Sequence, residues 1–294
     1  MTLLSIDVIK RNETDGCFSK KIQSVNLHIT KACNYRCRFC YAHFNQVGTH
    51  LNKDQWIEVI FRLGEAGCSK ITFVGGEPTL VPYLHELVIF AKEQKMTTML
   101  VTNGSRITDE YLNRFNGCLD WVGLSIDTGK ENISKKLGRG TGKHVEQTIR
   151  LSSLLKGNGI RIKVNSVITA LNWEEDMNWL IELINPERWK VFQVLPIEGE
   201  NDDANDLLIT NDQFNEFIKR HSSNAPVAEN NDSMLESYVM VDPEGRFFTN
   251  SGNKLTHTGS ILELGVEEAF QRADFKLEKF EKRGGLYNWG NDKE

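Results

Sequence analysis

Cys33, Cys37 and Cys40 fall in one short stretch, Thr30-Lys-Ala-Cys-Asn-Tyr-Arg-Cys-Arg-Phe-Cys-Tyr41, with the spacing C-x3-C-x2-C. Three soft thiolates on one loop suit an iron–sulfur cluster or zinc. A four-iron cluster held by three protein ligands keeps one iron open to a small molecule. An open metal position points to chemistry rather than scaffolding. Zinc, the competing use, wants a fourth ligand at a plausible spacing, for which His43 and His50 are the candidates.

The loop must be held by regular elements. It follows an alternating segment, Val25, Leu27 and Ile29, that reads as a strand. Downstream, Lys70–Val74, Thr97–Thr102, Trp121–Asp127, Ile160–Ile168 and Lys190–Leu195 also read as strands. Helical spacing fills the gaps at Asp54–Ala66, His85–Glu93, Asp109–Phe115, Lys143–Leu155 and Glu174–Leu183. Such alternation predicts a parallel sheet with helices outside it, an α/β fold in the form of a partial (βα)6 barrel. After Pro196 the pattern changes. Glu198–Asp206 is acidic and loop-like, Asn211–His221 reads as a helix, and Asn224–Asp232 is polar and reads as a loop. Ser237–Val241 and Arg246–Asn250 flank a turn sequence and predict a hairpin. The expected division is an N-terminal segment 1–23, a barrel 24–196 carrying the cluster, and a C-terminal extension 197–294.

Two further patterns bear on chemistry. Gly75-Gly-Glu-Pro78 follows the Lys70–Val74 strand; two glycines let a ligand approach the backbone, and Glu77 adds an anion at a strand's C-terminal end. Residues two apart on a strand share a face. Ser125 and Asp127 therefore lie opposite Leu124 and Ile126, Lys163 and Asn165 opposite Ile162 and Val164, and Arg188 and Lys190 opposite Trp189 and Val191. Buried cations without partners are costly. The parity thus predicts a charged interior cavity containing Lys163, Arg188 and Lys190, suited to phosphate or carboxylate. Lys282-Arg-Gly-Gly285 carries two cations and glycine amides able to form an anion nest, although a solvated terminus is the better reading from sequence alone.

Bulk properties narrow the function classes. The 294 residues are 39% hydrophobic and 26% charged, as in a globular protein with a sizeable core. A net charge of −5 disfavours nucleic-acid binding through a broad basic surface. No apolar run reaches membrane-spanning length, and the start of the chain lacks a signal-peptide pattern. Six cysteines in such a chain predict reduced thiols and a cytoplasmic setting. All six lie at or before Cys118, which argues against a second thiolate-held cluster; Cys68 and Cys118 read as packed thiols.

Taken together, these stretches resemble the radical S-adenosylmethionine (SAM) superfamily and, within it, the viperins, which dehydrate ribonucleoside triphosphates. The likeness runs over nearly the whole chain. Its carriers are Asn26–Cys40, Gly75-Gly-Glu-Pro78, Gly138-Arg-Gly140, Lys163–Ile168, Glu174-Glu-Asp-Met177, Asn185–Gln193, Ile197-Glu-Gly-Glu-Asn201, Gly265-Val-Glu-Glu-Ala269 and Lys282-Arg-Gly-Gly285, of which Arg188-Trp-Lys-Val-Phe-Gln193 and Ile197–Asn201 are specific to the viperins. The resemblance implies that Cys33, Cys37 and Cys40 hold a 4Fe–4S cluster, and that Gly75, Gly76, Glu77, Asn103, Ser125 and Arg139 line a SAM site. It further implies that Lys163, Asn165, Arg188, Lys190 and Arg283 line a triphosphate site, with Tyr238 near the ribose as proton donor.

In that family a 5′-deoxyadenosyl radical takes the ribose 4′ hydrogen. The product is a 3′-deoxy-3′,4′-didehydro nucleotide, an antiviral chain terminator. The implied partners are CTP, UTP or GTP as substrate and a flavodoxin- or ferredoxin-type electron donor, with no nucleic acid, no membrane and a monomeric chain. The vertebrate members' long amphipathic N-terminal extension is lacking here, so their membrane anchoring is not expected. Tyr41-Ala-His-Phe44 differs from the vertebrate sequence near the base pocket, which leaves the base open. A radical SAM enzyme acting on a peptide or a cofactor precursor is the alternative; it fits the cysteines equally and the interior cations less well. A metal-binding scaffold fits the cysteines alone.

Overall fold

The computed structural model describes residues 22–289. Cys17 and nearly all of the expected segment 1–23 lie outside the described residues. The strands are β1 Ser24–His28, β2 Lys70–Val74, β3 Thr97–Thr102, β4 Trp121–Ser125, β5 Arg161–Ile168, β6 Arg188–Gln193, β7 Val227–Glu229, β8 Met240–Val241, β9 Arg246–Ser251 and β10 Lys254–Ser260. They form one sheet in the order β10-β9-β8-β1-β2-β3-β4-β5-β6-β7. The run from β8 to β7 is parallel; β9 and β10 close one edge antiparallel. This is the expected partial barrel. The extension adds β7 to one edge of its sheet and β8 to the other, so barrel and extension share one continuous sheet.

The strand faces divide as parity predicts. Val25, Leu27, Ile71, Phe73, Val122, Leu124, Ile162, Val164, Trp189 and Val191 join one core cluster beneath the helices. Their alternating neighbours, among them Asn26, Lys70, Thr72, Ser125, Lys163, Asn165 and Lys190, line a cavity. The helix Lys53–Glu65 shows why the outer layer forms. Trp56, Val59, Ile60 and Leu63 make an apolar stripe at helical spacing and are buried. Burying each such side chain contributes about 1.5–3 kcal/mol. Asn52 starts the helix through a reciprocal capping box with Gln55, and Asn52→Ala should cost about 1 kcal/mol.

The helices Leu84–Glu93, His144–Gly157 and Asn178–Ile184 fill their expected gaps within a few residues. The expected hairpin is β8–β9: Asp242 accepts the backbone N–H groups of Glu244 and Arg246, and Gly245 supplies φ 75°. Two strands, β7 and β10, go beyond expectation. β7 sits in the polar stretch that reads as a loop; three edge residues need a pairing partner more than apolar content, and β6 supplies it, Lys190 opposite Val227. Among the described residues no helix is long and apolar enough to cross a membrane.

Candidate active site

A single cavity of about 620 Å³ runs through the barrel and is lined by groups from both ends of its strands. At the C-terminal end stand Cys33, Cys37 and Cys40, which lie in its wall as free thiols. Their loop is anchored by main-chain bonds: Arg36 N–H and Arg38 N–H donate to the carbonyls of Gly138 and Leu137 at 3.2 and 3.0 Å. Burial pushes all three thiols up in pKa, Cys37 to about 12. Arg139 opposes that shift at each of them. Arg139 is itself buried and bonded to Asp127; burial alone would lower its pKa, but Asp127 together with the Cys37 and Cys40 sulfurs raises it, and the guanidinium stays charged. Gly138 has to be glycine. At φ 78° a Cβ there would sit 1.9 Å from the Arg36 carbonyl oxygen.

Glu77 departs from expectation. Its carboxylate is fully buried and does not line the cavity. It accepts the N–H and hydroxyl of Thr79 at 3.1 and 2.6 Å, the Thr102 hydroxyl at 2.7 Å and the Asn103 N–H at 2.8 Å. Burial raises its pKa, against the pull of those donors. It braces the ends of β2 and β3, and what faces the cavity is the Gly75–Gly76 backbone. The glycines serve chain packing as well as ligand approach. A Cβ at Gly75, φ 148°, would lie 2.4 Å from the Thr30 carbonyl, and one at Gly76 2.3 Å from that of Ala32. Close packing brings the Gly-Gly turn against the start of the cysteine loop, where Gly76 N–H donates to Thr30 and Glu77 N–H to Ala32. Asn103 lines the cavity and donates to Asn34 at 2.9 Å; Ser125 and Arg139 line it nearby.

Toward the strands' N-terminal ends the cavity becomes cationic. Lys70, Lys163, Lys190 and Arg283 line it, with Asn165 beside them. Burial lowers the pKa of Lys163 to about 7 and those of Lys70 and Lys190 well below the usual lysine range. Arg283 sits just after the helix Leu277–Lys282 and is buried, which corrects the reading of Lys282–Gly285 as a solvated terminus. The tail crosses the first residues of four strands. Gly284 accepts Arg188 at 2.6 Å, the Tyr287 hydroxyl accepts Lys70 at 2.7 Å, and the Trp289 carbonyl accepts Trp121 and Arg161 at 3.2 and 2.7 Å. Arg188 lies outside the cavity lining. It starts β6, level with Lys163, and stacks its guanidinium 4.1 Å over the Tyr287 ring.

Tyr238 lines the same end. Its hydroxyl accepts Lys190 at 2.9 Å and donates to Glu229. Glu229 also pairs with Lys190 and, at 3.3 Å, with Arg283. Burial would raise this carboxyl, but the two cations hold it below the usual carboxylate range. Sequence reasoning missed Lys70 and Glu229. Lys70 shares parity with Thr72 and Val74 opposite Ile71 and Phe73, so the rule that found Lys163 reaches it. Glu229 carries no such signal, because its strand does not read as one. Among the side walls, Tyr41, Ala42, His43 and Phe44 all line the cavity. His28, also in the wall, is held neutral by burial with a pKa of about 3.

The thiol donor set fits a 4Fe–4S cluster: three free thiols, the soft ligands such a cluster takes, share one cavity wall. His43, one candidate fourth zinc ligand, instead engages the Glu200 carbonyl at 2.7 Å.

Comparison with known proteins agrees. Residues 27–184 match the Radical SAM superfamily. The S-adenosylmethionine-dependent nucleotide dehydratase of Flammeovirga pacifica is 44% identical over 279 residues, spanning 91% of this chain and 96% of that protein. The protein of the same name from Lacinutrix mariniflava is 41% identical over 93% of this chain and 60% of its own length. The crystal structure of Streptococcus suis SuiB bound to S-adenosylmethionine superposes with a TM-score of 0.67 at 15% identity, over 90% of this chain and 68% of that one, a likeness of fold. A 4Fe–4S cluster and SAM are the cofactors of this superfamily. With the cysteine loop, the Gly-Gly turn and the open barrel in place, the chain belongs to the S-adenosylmethionine-dependent nucleotide dehydratase family, the viperins, of the radical SAM superfamily.

Proposed function

We propose that this enzyme dehydrates a ribonucleoside triphosphate, CTP, UTP or GTP, to its 3′-deoxy-3′,4′-didehydro form, an antiviral chain terminator. The observation that carries this reading is the convergence of Lys70, Lys163, Lys190 and Arg283 on the same cavity that holds the three thiols. Several buried cations facing one carboxylate call for a polyanion, and a triphosphate supplies one. Bound together, cluster and SAM supply a carbon-centred radical that takes a ribose hydrogen, and loss of the 3′ hydroxyl as water then needs one more electron and one proton.

The chain's own contribution is placement. Cys33, Cys37 and Cys40 hold the cluster. The Gly75–Gly76 backbone, Asn103, Ser125 and Arg139 receive SAM, with Glu77 bracing them from behind. Lys70, Lys163, Lys190 and Arg283 draw the phosphates toward the strands' N-terminal ends, Asn165 adds a polar contact, and Arg188 acts from behind through the tail. This leaves the ribose between the two ends. Tyr238 keeps a proton at its hydroxyl, since burial raises that phenol's pKa well above the usual tyrosine range. Reduced cysteines fit a cytoplasmic setting. We further propose a monomer and a flavodoxin- or ferredoxin-type electron donor.

The test is an anaerobic assay of reconstituted protein with SAM and dithionite, adding CTP, UTP, GTP or ATP singly. Stimulated 5′-deoxyadenosine together with a nucleotide lighter by one water supports the reading and identifies the base. SAM cleavage unchanged by every triphosphate removes it.

A further inference from the structure

Glu229 ends β7, opposite Phe192 of β6, and is fully buried. It does not line the cavity, whereas the three groups it touches, Lys190, Tyr238 and Arg283, all do. Those groups also touch one another. Lys190 donates to the Tyr238 hydroxyl at 2.9 Å, and the Arg283 guanidinium lies 3.6 Å over the Tyr238 ring. Arg283 is tied further by two bonds to the Ser237 carbonyl, at 3.1 and 2.7 Å. The phenol is thereby fixed in three respects: Arg283 covers its face, Lys190 holds its oxygen and Glu229 sets the direction of its hydrogen.

A polyphosphate entering the cavity attracts Lys190 and Arg283 toward itself. Without an anion behind them, Lys190 would follow the phosphates on its flexible stem, Arg283 would be held by the Ser237 carbonyl alone, and the Tyr238 hydroxyl would lose its acceptor. An anion placed in contact with the phosphate-facing cations also weakens ligand binding, so affinity alone does not account for it. Building one carboxylate into the back of a cationic wall gives up some attraction in return for fixed positions.

We propose that Glu229 is a positioning residue: from behind the wall it holds Lys190, Arg283 and Tyr238 in register, so that the bound nucleotide stops at one depth and its ribose meets the phenol. This rests on the dehydratase reading above. A purely structural ion pair would instead show itself in stability and cluster content, with catalysis per folded molecule unchanged.

The experiment compares wild type, Glu229→Gln, Tyr238→Phe and the double variant in the anaerobic assay, with iron content and 5′-deoxyadenosine per dehydrated nucleotide measured for each. Glu229→Gln should keep the cluster, lower kcat about tenfold or more with KM unchanged or reduced, and raise the deoxyadenosine-to-product ratio. The double variant should lose less than the two single losses combined, because part of what Glu229 does passes through Tyr238. Wild-type kcat and ratio in Glu229→Gln, a raised KM with kcat intact, or additive losses in the double variant would overturn the proposal.

Should Glu229→Gln not fold, Glu229→Asp keeps the charge and withdraws it by one methylene. Positioning predicts an intermediate loss of coupling, and wild-type behaviour overturns it. Failure of both variants to fold would make Glu229 a folding counter-ion and overturn it too. If wild type shows no nucleotide-stimulated deoxyadenosine, the dehydratase reading itself fails, a result distinct from all of these.

Discussion

At the cysteine end of the cavity, charge is matched locally. Arg139 holds Asp127, and Glu77 is saturated by donors from Thr79, Thr102 and Asn103. At the opposite end, Lys70, Lys163, Lys190 and Arg283 come from β2, β5, β6 and the tail, and Glu229 is the carboxylate paired among them. The first end has its loops pinned by main-chain bonds and obligatory glycines. The second carries excess positive charge in a buried setting, which is stable only if its lysines shed protons or an anion arrives. The contrast teaches that one end is built to hold a fixed group and the other to receive a transient one.

If the two ends are separable, a lesion at one should spare the other. Cys37→Ala removes a thiol from the wall and should abolish product, a loss of at least about a thousandfold, or about 4 kcal/mol in the barrier. Iron and sulfide should fall together. Triphosphate binding by the same variant, measured calorimetrically, should stay within about twofold of wild type; a collapse of binding would show that the ends are not independent.

Lys190→Ala tests the other end and should be the next largest effect. It strips Glu229 and the Tyr238 hydroxyl of a shared partner in a buried site. Breaking such a pair costs about 3–5 kcal/mol. We expect kcat/KM for the nucleotide to fall by about a hundredfold or more and the melting temperature to drop, while iron content stays at the wild-type level. Loss of iron here would make Lys190 part of a single coupled structure.

The same contrast explains what could be read before the fold was known. The cysteine end is written in contiguous stretches, so C-x3-C-x2-C and Gly-Gly-Glu-Pro identify it directly. Even so, spacing could not reveal that Glu77 points away from the cavity, because its partners Thr102 and Asn103 come from another strand. The cation end is assembled from separate strands. Parity found Lys163 and Lys190 because Ile162, Val164, Trp189 and Val191 mark the opposite face. Parity could not tell that Arg188, at the first position of β6, is drawn off to Gly284 and Tyr287. Glu229 was illegible because β7 exists only by pairing with β6. Arg283 was reached only through the family resemblance, because on its residues alone a Gly-Gly tail looks solvated until Arg188, Lys70 and Arg161 are seen to hold it.

A transient anion site should respond to pH, and Lys163 gives the sign. Burial, the largest cause, pushes its pKa down to about 7; Glu229 opposes this, while Arg188 and Arg283 add to it. A lysine in the unfolded chain titrates near 10.4. The substrate-free native state therefore binds fewer protons than the unfolded one between pH 7 and that value, and this group's contribution makes stability rise with pH across the window. Nucleotide binding has the opposite slope, because phosphate needs the ammonium form. The part of the affinity that Lys163 supplies should be constant below about pH 7 and weaken by up to about tenfold per unit above it. Lys163→Arg, whose charge does not titrate, should flatten that part of the profile. A wild-type profile unchanged up to pH 9 would show that the cation end is not short of protons, and the contrast between the two ends would lose its electrostatic basis.

The smallest effect belongs to the tail. Tyr287→Phe keeps the ring beneath Arg188 and removes only the hydroxyl that accepts Lys70. One hydrogen bond of this kind contributes about 1 kcal/mol, so the nucleotide KM should rise about fivefold with kcat nearly constant. The lysine stays in place through the Tyr287 and Trp289 rings, 4.6 and 5.0 Å from its ammonium nitrogen. A fall in kcat instead would mean that the tail fixes the depth of the nucleotide as well as its affinity. That outcome would extend to the tail the positioning role argued for Glu229, and the receiving end of the cavity would then be as finely placed as the cysteine end.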